Sequence, residues 1–488
     1  MTLAERGRAS ATETMFETPV AEIGDALRAT LRPLLEKATA RGRQTLAATT
    51  IRIEPRDPVS LFSAARELGA EPSLWLQPRD GFALVAMDAA WRVRASGADR
   101  FETVGAAWSE LGAGAVVSGA DGVRGAGPLL LGGFGFSPQA ARPEVWQGFE
   151  AADLVLPRLL LTVTPGATWL TASAVAAEPA SGSDVLDAAA DLWRDVTRLA
   201  PTARVPASDP GVLRISAYRP DAPSWRATVA RFAGAVGRGR IDKVVLARQI
   251  DVIAPGTIDI EALLGRLVAA APESTVFAVT RGERVFAGAT PERLVHLHGR
   301  EFSTVAMAGS TRRASDAEGD ALLAHALLRS DKEREEHAVV VNMLRDTLAP
   351  LAESLAVAER PSVVVLRHVQ HLATTVGGTL REPMGILDLV GRLHPTPAVG
   401  GAPRELALQL IADEEPHERG WYAGPLGWLD RDGDGEFVVA LRSGVIAGSR
   451  ATLFAGCGIV ADSDPDREWD ESLVKLRALG SALGRIEA

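Results

Sequence analysis

The sequence predicts an α+β fold with largely antiparallel sheets flanked by helices. Short apolar, β-like runs separated by glycine and proline fill the chain from Leu46 to about Val175, which is typical of sheet strands and their turns. Beyond residue 215, helical and strand-like segments are intermixed without the regular strand–helix–strand spacing of a doubly wound fold. Both observations favour strands that pair with antiparallel neighbours.

The composition is that of a globular protein with ample material for a core. The chain has 488 residues, of which 47% are hydrophobic and 23% charged, so we expect two or three domains by length. A single cysteine, Cys457, excludes an internal disulfide framework and a thiolate metal cluster.

Charge and hydropathy exclude several classes of partner. The net charge of −10 has the wrong sign for non-specific binding to nucleic acid or to an anionic membrane. The first twenty residues lack the apolar segment of a secretory signal, and no stretch approaches the length of a transmembrane helix. We therefore expect a cytoplasmic protein with neither nucleic acid nor membrane as a partner.

The amino-terminal part begins with a frayed stretch over residues 1–20 and a helix within 21–45, followed by strands and a second helix over Ser183–Leu199. The proline-rich segment Pro201–Gly211 is the best linker candidate. It divides an amino-terminal region, 1–205, from a catalytic region, 215–488. The predicted strands of the first region are Thr49–Ile53, Phe82–Ala86, Trp91–Arg94, Leu129–Leu131 and Leu159–Val163.

The second region mixes both kinds of element. Helices are predicted over Pro223–Gly237, most of Asp316–Leu355, and Ile386–Leu393. The predicted strands are Ile241–Arg248, a hairpin of Thr275–Val279 with Arg284–Ala287, Thr304–Ala308, Ser362–His368, Leu372–Leu380, and a second hairpin-like pair of Glu436–Val445 with Arg450–Cys457.

The stretch from Ala455 to Lys475 opens with a glycine-punctuated turn and then reads as a helix. On that helix Glu468, Glu471 and Lys475 follow the i, i+3, i+7 spacing of one helical face. Such a face could direct two carboxylates and an ammonium at one point. Surface helices carry the same charges routinely, so this spacing alone favours a solvated face.

A second pair of glutamates with the same spacing, Glu333 and Glu336, precedes an apolar helical run. Two such helices could form an all-oxygen pocket, and hard oxygen ligands select Mg²⁺ over zinc or copper. Because Mg²⁺ keeps several waters, we expect Glu336 and Glu471 as direct ligands, with Glu333 and Glu468 further out or bridged by water. Two unrelated charged helices remain the simpler interpretation of the spacing alone.

Several blocks of the second region occur together in one order. They are Asp242–Arg248, Phe286–Leu294, Ala308–Arg312, Asp331–His337, His371 with Val376–Leu380, His394–Pro403, Gly420–Gly424, Ala440–Arg442 and Ala455–Lys475. Over residues 215–488 the chain thereby resembles the chorismate-utilising enzymes: isochorismate synthases, salicylate synthases and the large subunits of anthranilate and aminodeoxychorismate synthases. The resemblance implies that family's large, mainly antiparallel β-sandwich core, to which the amino-terminal region contributes strands.

The resemblance also implies a chemistry. The family adds a nucleophile to the chorismate ring and expels the C4 hydroxyl, with Mg²⁺ on the ring carboxylate. Lys243 matches the base that activates water in the isochorismate and salicylate branches, and Glu292 matches the acid for the leaving hydroxyl. The segment Thr290–Glu292 also resembles a helix start. A strand-edge lysine and a first-turn glutamate are the alternative interpretations.

Substrate contacts follow from the same resemblance. Arg442 and Tyr422 match a pair that holds the enolpyruvyl carboxylate, and His371 matches a histidine beside the ring. Lys475 matches a lysine near the glutamates. Ala398 stands where isochorismate synthases tend to carry alanine, and enzymes that use ammonia or eliminate pyruvate tend to carry threonine. Three glycines would let the substrate approach the backbone closely: Gly309, Gly456 and Gly458. Ser310 replaces the threonine that is usual in the family.

These features predict an isochorismate synthase: chorismate as substrate, Mg²⁺ as cofactor, no amidotransferase subunit and a monomeric state. A salicylate synthase is the nearest alternative. An anthranilate or aminodeoxychorismate synthase follows, and both Lys243 and Ala398 oppose it. A catalytically inactive binding protein on the same fold is disfavoured because Lys243, Glu292, Glu336 and Glu471 are all present.

Overall fold

The computed structural model describes residues 18–19, 22–41, 43–176, 182–200 and 211–487. The predicted linker lies outside the described residues except for Gly211, as does the predicted frayed stretch except for residues 18–19. Among the helices that the structure describes, none combines the length and the apolar character needed to cross a bilayer.

The described residues form eleven α-helices. In chain order they are α1 (Ile23–Thr39), α2 (Pro58–Glu67), α3 (Arg100–Gly112), α4 (Gly182–Leu199), α5 (Ala222–Gly237), α6 (Ile260–Ala270), α7 (Ala317–Arg329), α8 (Asp331–Leu348), α9 (Ile386–Leu393), α10 (Arg404–Glu414) and α11 (Pro465–Leu483). Several begin at an aspartate or serine whose side chain accepts a hydrogen bond from the first turn, such as Asp464 before α11 and Ser330 before α8.

The same residues form 22 β-strands. They are β1 (Thr45–Ile53), β2 (Ser73–Gln77), β3 (Phe82–Ala95), β4 (Val116–Ser118), β5 (Leu129–Phe134), β6 (Ala152–Thr164), β7 (Ala167–Ala176), β8 (Val212–Arg219), β9 (Lys243–Ile253), β10 (Thr275–Arg281), β11 (Arg284–Thr290), β12 (Arg293–His298), β13 (Glu301–Arg312), β14 (Ala352–Val357), β15 (Ser362–Val365), β16 (Val369–Leu380), β17 (Gly401–Ala402), β18 (Pro425–Asp430), β19 (Gly435–Val439), β20 (Ser443–Ala447), β21 (Arg450–Ile459) and β22 (Arg485–Glu487).

Two large sheets are joined through one strand, β6. The first runs β4-β1-β7-β6-β3-β2-β10-β11-β20-β21-β9-β8-β22, and the second runs β5-β18-β19-β12-β13-β16, with β14 and β15 both on β16. Strand β6 connects the sheets because its first half pairs with β5 and its second half with β7. All of these pairings are antiparallel except β1–β4 and β8–β22. The predicted α+β class with a mainly antiparallel core is confirmed.

Alternate residues of a strand in the first sheet pack into different cores. In β10, Phe277 and Val279 belong to the core that also holds residues of the second sheet. Val276 and Ala278 face the other way, into a core shared with α1, α2, α4, α6 and α11. This alternation is what a strand buried on both faces requires. The first sheet is therefore packed against the second sheet on one face and against helices on the other.

The structure corrects several predicted elements. Helices α2 and α3 replace what was expected to be strand-rich chain, and Phe82–Ala86 and Trp91–Arg94 belong to one strand, β3. Strand β14 lies where the end of a helix was predicted. The prediction of a turn at Ala455–Gly458 is wrong as well, because these residues continue β21, with Gly458 opposite Val245 of β9.

Candidate active site

A cavity lies where β9, β13, β21 and α11 meet. Most of the predicted site residues line it, and they come from widely separated parts of the chain: Glu292, Gly309, Ser310, Glu336, His371, Ala398, Tyr422, Arg442, Gly456, Glu471 and Lys475. Lys243, Glu333 and Glu468 do not line the cavity. Each of them contacts a charged residue of the same cluster.

Lys243 is the first residue of β9 and is only 1% exposed. Its Nζ donates to Oε1 of Glu336 over 2.8 Å, so the predicted base is held in an ion pair with a predicted metal ligand. Gly458 leaves room for this pair. A Cβ at that position would lie 2.6 Å from Oε1 of Glu336 and 2.8 Å from Cε of Lys243, so a side chain there would force the ends of both side chains to move.

Glu292 lies in the connection between β11 and β12, and the predicted helix start at Thr290–Glu292 is wrong. The Thr290 hydroxyl donates to the carbonyl of Val439 over 2.6 Å, and the Glu292 carbonyl accepts from the N–H of Val439. These bonds to the neighbouring chain replace a helical turn. The carboxyl group of Glu292 is buried and accepts no hydrogen bond from any residue the structure describes.

Burial raises the pKa of Glu292 to about 7. The positive charges of Lys243, Arg442 and Lys475 oppose this effect but do not cancel it. A substantial fraction of the carboxyl groups therefore carries a proton at neutral pH. This is the state in which a glutamate can act as a proton donor.

Ser310 joins the two glutamate helices. Strand β13 has an irregularity between Ala308 and Ser310, where Gly309 adopts a left-handed φ of +77°. The backbone N–H of Ser310 donates to Oε2 of Glu333 over 2.8 Å, and its hydroxyl donates to Oε1 of Glu471 over 3.1 Å. One residue at a bulge thus holds a carboxylate from α8 and another from α11.

The carboxylates of α11 experience opposite environments. Burial alone would raise the pKa of Glu471, but the Lys475 ammonium, 2.6 Å away, and hydrogen bonds from Lys475 and Ser310 lower it below its ordinary value. Burial and the charge of Glu471 raise the pKa of Glu468. Lys332 was not predicted as a site residue. Its Nζ lies 3.9 Å from Glu333 and 3.7 Å from Glu468.

This donor set fits Mg²⁺. Four carboxylates gather around only three ammonium groups, those of Lys243, Lys332 and Lys475. Burial, and after it the negative charge of the neighbouring Glu336, raises the pKa of Glu333.

Cys457 lies near the same cluster, with its sulfur close to carboxylate oxygens of Glu468 and Glu471. Its thiol donates to the backbone carbonyl of Glu468, and burial raises its pKa well above the ordinary value. A protonated thiol is a poor ligand, so the donors that remain are oxygens, which Mg²⁺ prefers.

Arg442 breaks the strand that was predicted to run from Glu436 to Val445. It has a left-handed φ of +51° between β19 and β20, and its side chain enters the cavity. Its Nη2 donates to Nε2 of His371 over 3.0 Å. Burial and the charges of Arg442 and Lys475 lower the pKa of His371 to about 3, so the imidazole is neutral and its Nε2 accepts.

Tyr422, Gly456 and Ala398 complete the wall. The Tyr422 ring stacks on Phe454 with centroids 5.3 Å apart, and burial raises the pKa of its hydroxyl to about 12. The carbonyl of Gly456 accepts a hydrogen bond from Lys475 over 3.0 Å. Ala398 follows the buried His394 and Thr396 in a loop that approaches the cavity.

Arg419 lines the cavity and was not predicted as a site residue. Its guanidinium donates to the carbonyls of Val399 and Val245, both over 2.7 Å, and forms an ion pair with Glu415. These bonds hold the loop that contains Ala398 against strand β9. An arginine directly before the apolar and glycine-rich block Gly420–Gly424 was the available signal.

The arrangement combines three chemical functions in one enclosed space. Arg442 and Lys475 supply positive charge for an anion, Glu292 supplies a protonated carboxyl group, and the ion pair of Lys243 with Glu336 lies beside the glutamate cluster. A small, multiply charged acid with a hydroxyl leaving group is the kind of molecule that such a site can bind and rearrange.

Known proteins match nearly the whole chain. A family profile described as "Chorismate binding enzyme" matches residues 33–484. The salicylate biosynthesis isochorismate synthase of Pseudomonas aeruginosa is 38% identical over 469 residues, which cover 96% of each chain. Isochorismate synthase MenF of Bacillus subtilis is 34% identical over 459 residues, or 92% of this chain and 96% of that one.

A solved structure agrees with these matches. The menaquinone-specific isochorismate synthase MenF of Escherichia coli superposes with a TM-score of 0.72 at 26% identity, covering 93% of this chain and 100% of that chain. The predicted family is confirmed by a profile match over almost the full length and by relatives above 30% identity. The protein belongs to the chorismate binding enzymes.

Proposed function

We propose that this protein is an isochorismate synthase, which converts chorismate reversibly to isochorismate. The observation that carries the proposal is the buried carboxyl group of Glu292, whose pKa is raised to about 7, in one cavity with Arg442 and beside Lys243. The names of the relatives from Pseudomonas aeruginosa and Bacillus subtilis support it.

In the proposed reaction, Lys243 acts in its neutral amine form and accepts a proton from a water molecule as that water forms a bond to C2 of the ring. The ring double bonds shift, the C4–O bond breaks, and Glu292 gives its proton to the departing oxygen, which leaves as water. One water enters and one leaves, so the product is an isomer. In the reverse direction Glu292 is the base and Lys243 the acid.

Arg442, with Tyr422 nearby, is proposed to bind the enolpyruvyl carboxylate, because a guanidinium can donate two parallel hydrogen bonds to a carboxylate. Glu336 and Glu471 would hold Mg²⁺ directly, with Glu333 and Glu468 behind them. When bound, the ion would neutralise and orient the ring carboxylate. Glu336 therefore has two proposed roles, since it is also the ion-pair partner of Lys243.

We further propose that the enzyme acts without an amidotransferase subunit. Water is the nucleophile in this reaction, and Ala398 contributes only a methyl group to the cavity wall. A threonine there would add a hydroxyl beside the substrate, as the resemblance associates with the use of ammonia or with pyruvate elimination.

Product analysis tests the proposal. The purified protein is incubated with chorismate and Mg²⁺, with and without ammonium, and the products are separated and identified by mass and ultraviolet spectrum. We expect isochorismate approaching a fixed ratio with chorismate, unchanged by ammonium. Salicylate with pyruvate, or an aminated product, would overturn it.

A further inference from the structure

A second cavity adjoins the first. Its volume is about 260 Å³. It lies between α6, α11 and the chain that connects β15 to β16. Pro291 and Arg442 line both cavities, so a single guanidinium forms part of the wall between them.

The body of this second cavity is apolar. Its aliphatic lining comes mainly from the end of α6 and the middle of α11, and from the β15–β16 connection: Leu267, Ala270, Val365, Leu366, Val474 and Ala478. An apolar cavity of roughly 150 Å³ is large enough to accept benzene. A cavity of about 260 Å³ therefore has room for a six-membered ring with a substituent.

Its polar groups are predominantly cationic. Arg313, Arg367 and Arg442 line it, and Glu273 is the one acidic residue among the described residues that do so. Arg313 is committed to Asp320 and to the carbonyl of Leu366. Arg367 is exposed and forms no ion pair with the described residues, so its charge is available to a ligand.

His368 provides an unsatisfied donor. Its Nε2 is buried and has no hydrogen-bond partner among the described residues, an arrangement that folded proteins usually avoid. Burial, followed by the charges of Arg367 and Arg442, lowers the pKa of His368. The ring is therefore neutral at pH 7, and in the tautomer with its proton on Nε2 it leaves an unpaired donor in a residue of the cavity wall.

We propose that this cavity is a second binding site, for a small organic carboxylate with an apolar, ring-sized body. The carboxylate binds Arg367 at the end of the cavity that His368 also lines, and the ring packs against the aliphatic side chains of α6 and α11. This proposal does not depend on the reaction that the first cavity performs. Because Arg442 belongs to both walls, a ligand in either cavity is expected to alter affinity in the other, and the coupling must be reciprocal.

Benzoate is the probe, and its binding to the full-length protein is measured by isothermal titration calorimetry. Two matched variants separate the cavities: Ala478→Phe fills the second, and Ala398→Phe fills the first. We expect Ala478→Phe to abolish benzoate binding and Ala398→Phe to preserve it, with both variants melting near the parent protein. Benzamide, which has the same ring without the charge, should bind at least tenfold more weakly than benzoate.

Arg367→Gln gives an independent test at an exposed position where folding is not at risk. We expect about tenfold weaker benzoate binding and no change for benzamide. The proposal is overturned if benzoate does not bind the parent, if Ala398→Phe loses binding while Ala478→Phe keeps it, or if benzamide binds as well as benzoate.

Discussion

Lys243 and Glu336 form an ion pair of 2.8 Å in which the lysine is 1% exposed. The pair joins the start of β9 to α8 and so connects the proposed base to the proposed metal ligands. Removing only one partner leaves the other charge poorly compensated. The two residues are therefore expected to be coupled in stability as well as in catalysis.

Replacing Lys243 tests the base. We expect Lys243→Met to lower kcat by roughly a hundredfold to ten-thousandfold, the usual contribution of a general base, and also to destabilise the fold. The double variant Lys243→Met with Glu336→Gln should regain stability without regaining activity. Turnover is followed by isochorismate formation and stability by urea unfolding. Activity within a fewfold of the parent would remove Lys243 from its role.

Glu292→Gln tests the acid. Glutamine keeps the shape of the side chain but has no proton to release, so we expect kcat to fall by at least a hundredfold. In the parent, kcat should fall as the pH rises through about 7, because burial raises the pKa of Glu292 to that value and the charged form cannot donate. An unchanged pH profile in the variant would contradict the assignment.

The same substitution should stabilise the protein at high pH. The folded-state pKa of Glu292, about 7, exceeds its ordinary value of 4.5, so the folded protein binds more protons than the unfolded chain between these pH values. The free energy of unfolding therefore falls as pH rises across this window, by about 3 kcal/mol in total. We expect Glu292→Gln to exceed the parent by roughly this amount at pH 8 and to match it at pH 4, in urea unfolding.

The metal site can be tested with neighbouring glutamates of α8. Glu336 faces the cavity, whereas Glu335 is exposed. We expect Glu336→Gln to weaken Mg²⁺ binding at least tenfold by calorimetry, and Glu471→Gln to do the same. Glu335→Gln should behave as the parent.

Removal of divalent cations with EDTA should stop turnover, and Mg²⁺ should restore it; indifference to EDTA would refute the site.

Arg442→Lys tests carboxylate binding. Lysine keeps the charge but lacks the planar fork, and it also loses the hydrogen bond to His371. We expect KM for chorismate to rise by about tenfold to a hundredfold with a smaller change in kcat. Arg450→Lys, at an exposed position eight residues along, is the matched control and should leave KM unchanged.

Short-range patterns predicted many elements well. Helix α9 occupies the predicted Ile386–Leu393, and the predicted hairpin of Thr275–Val279 with Arg284–Ala287 forms. Of the predicted strand Glu436–Val445, only the end that lies in β20 pairs with β21. Helix α2 was not predicted because nearly all its faces are buried, so its sequence lacks the alternation of apolar and polar residues that marks a helix. Asp57, which accepts a hydrogen bond from the N–H of Ser60, and Pro58 at the first position were the signals that could have identified it.

The site was less accessible to sequence reasoning because it depends on contacts between distant segments. Helical spacing could not show that Glu336 turns inward or that Lys332 lies between Glu333 and Glu468. Gly458 resembled a turn glycine, but it lies within strand β21, where the backbone passes close to the Lys243 side chain. Thr290–Glu292 resembled a helix cap, and the sequence could not reveal its true hydrogen-bond partner because Val439 lies far away in the chain.

The position of β6 between both sheets has a consequence for how this enzyme can be divided into fragments. A gene fragment beginning after the linker would lack β6, the strand along which the two sheets meet, and would expose the edges of β10 and β18. Such a fragment should aggregate, whereas both fragments expressed together could reassemble. The amino-terminal region is therefore part of the folding unit and cannot be discarded.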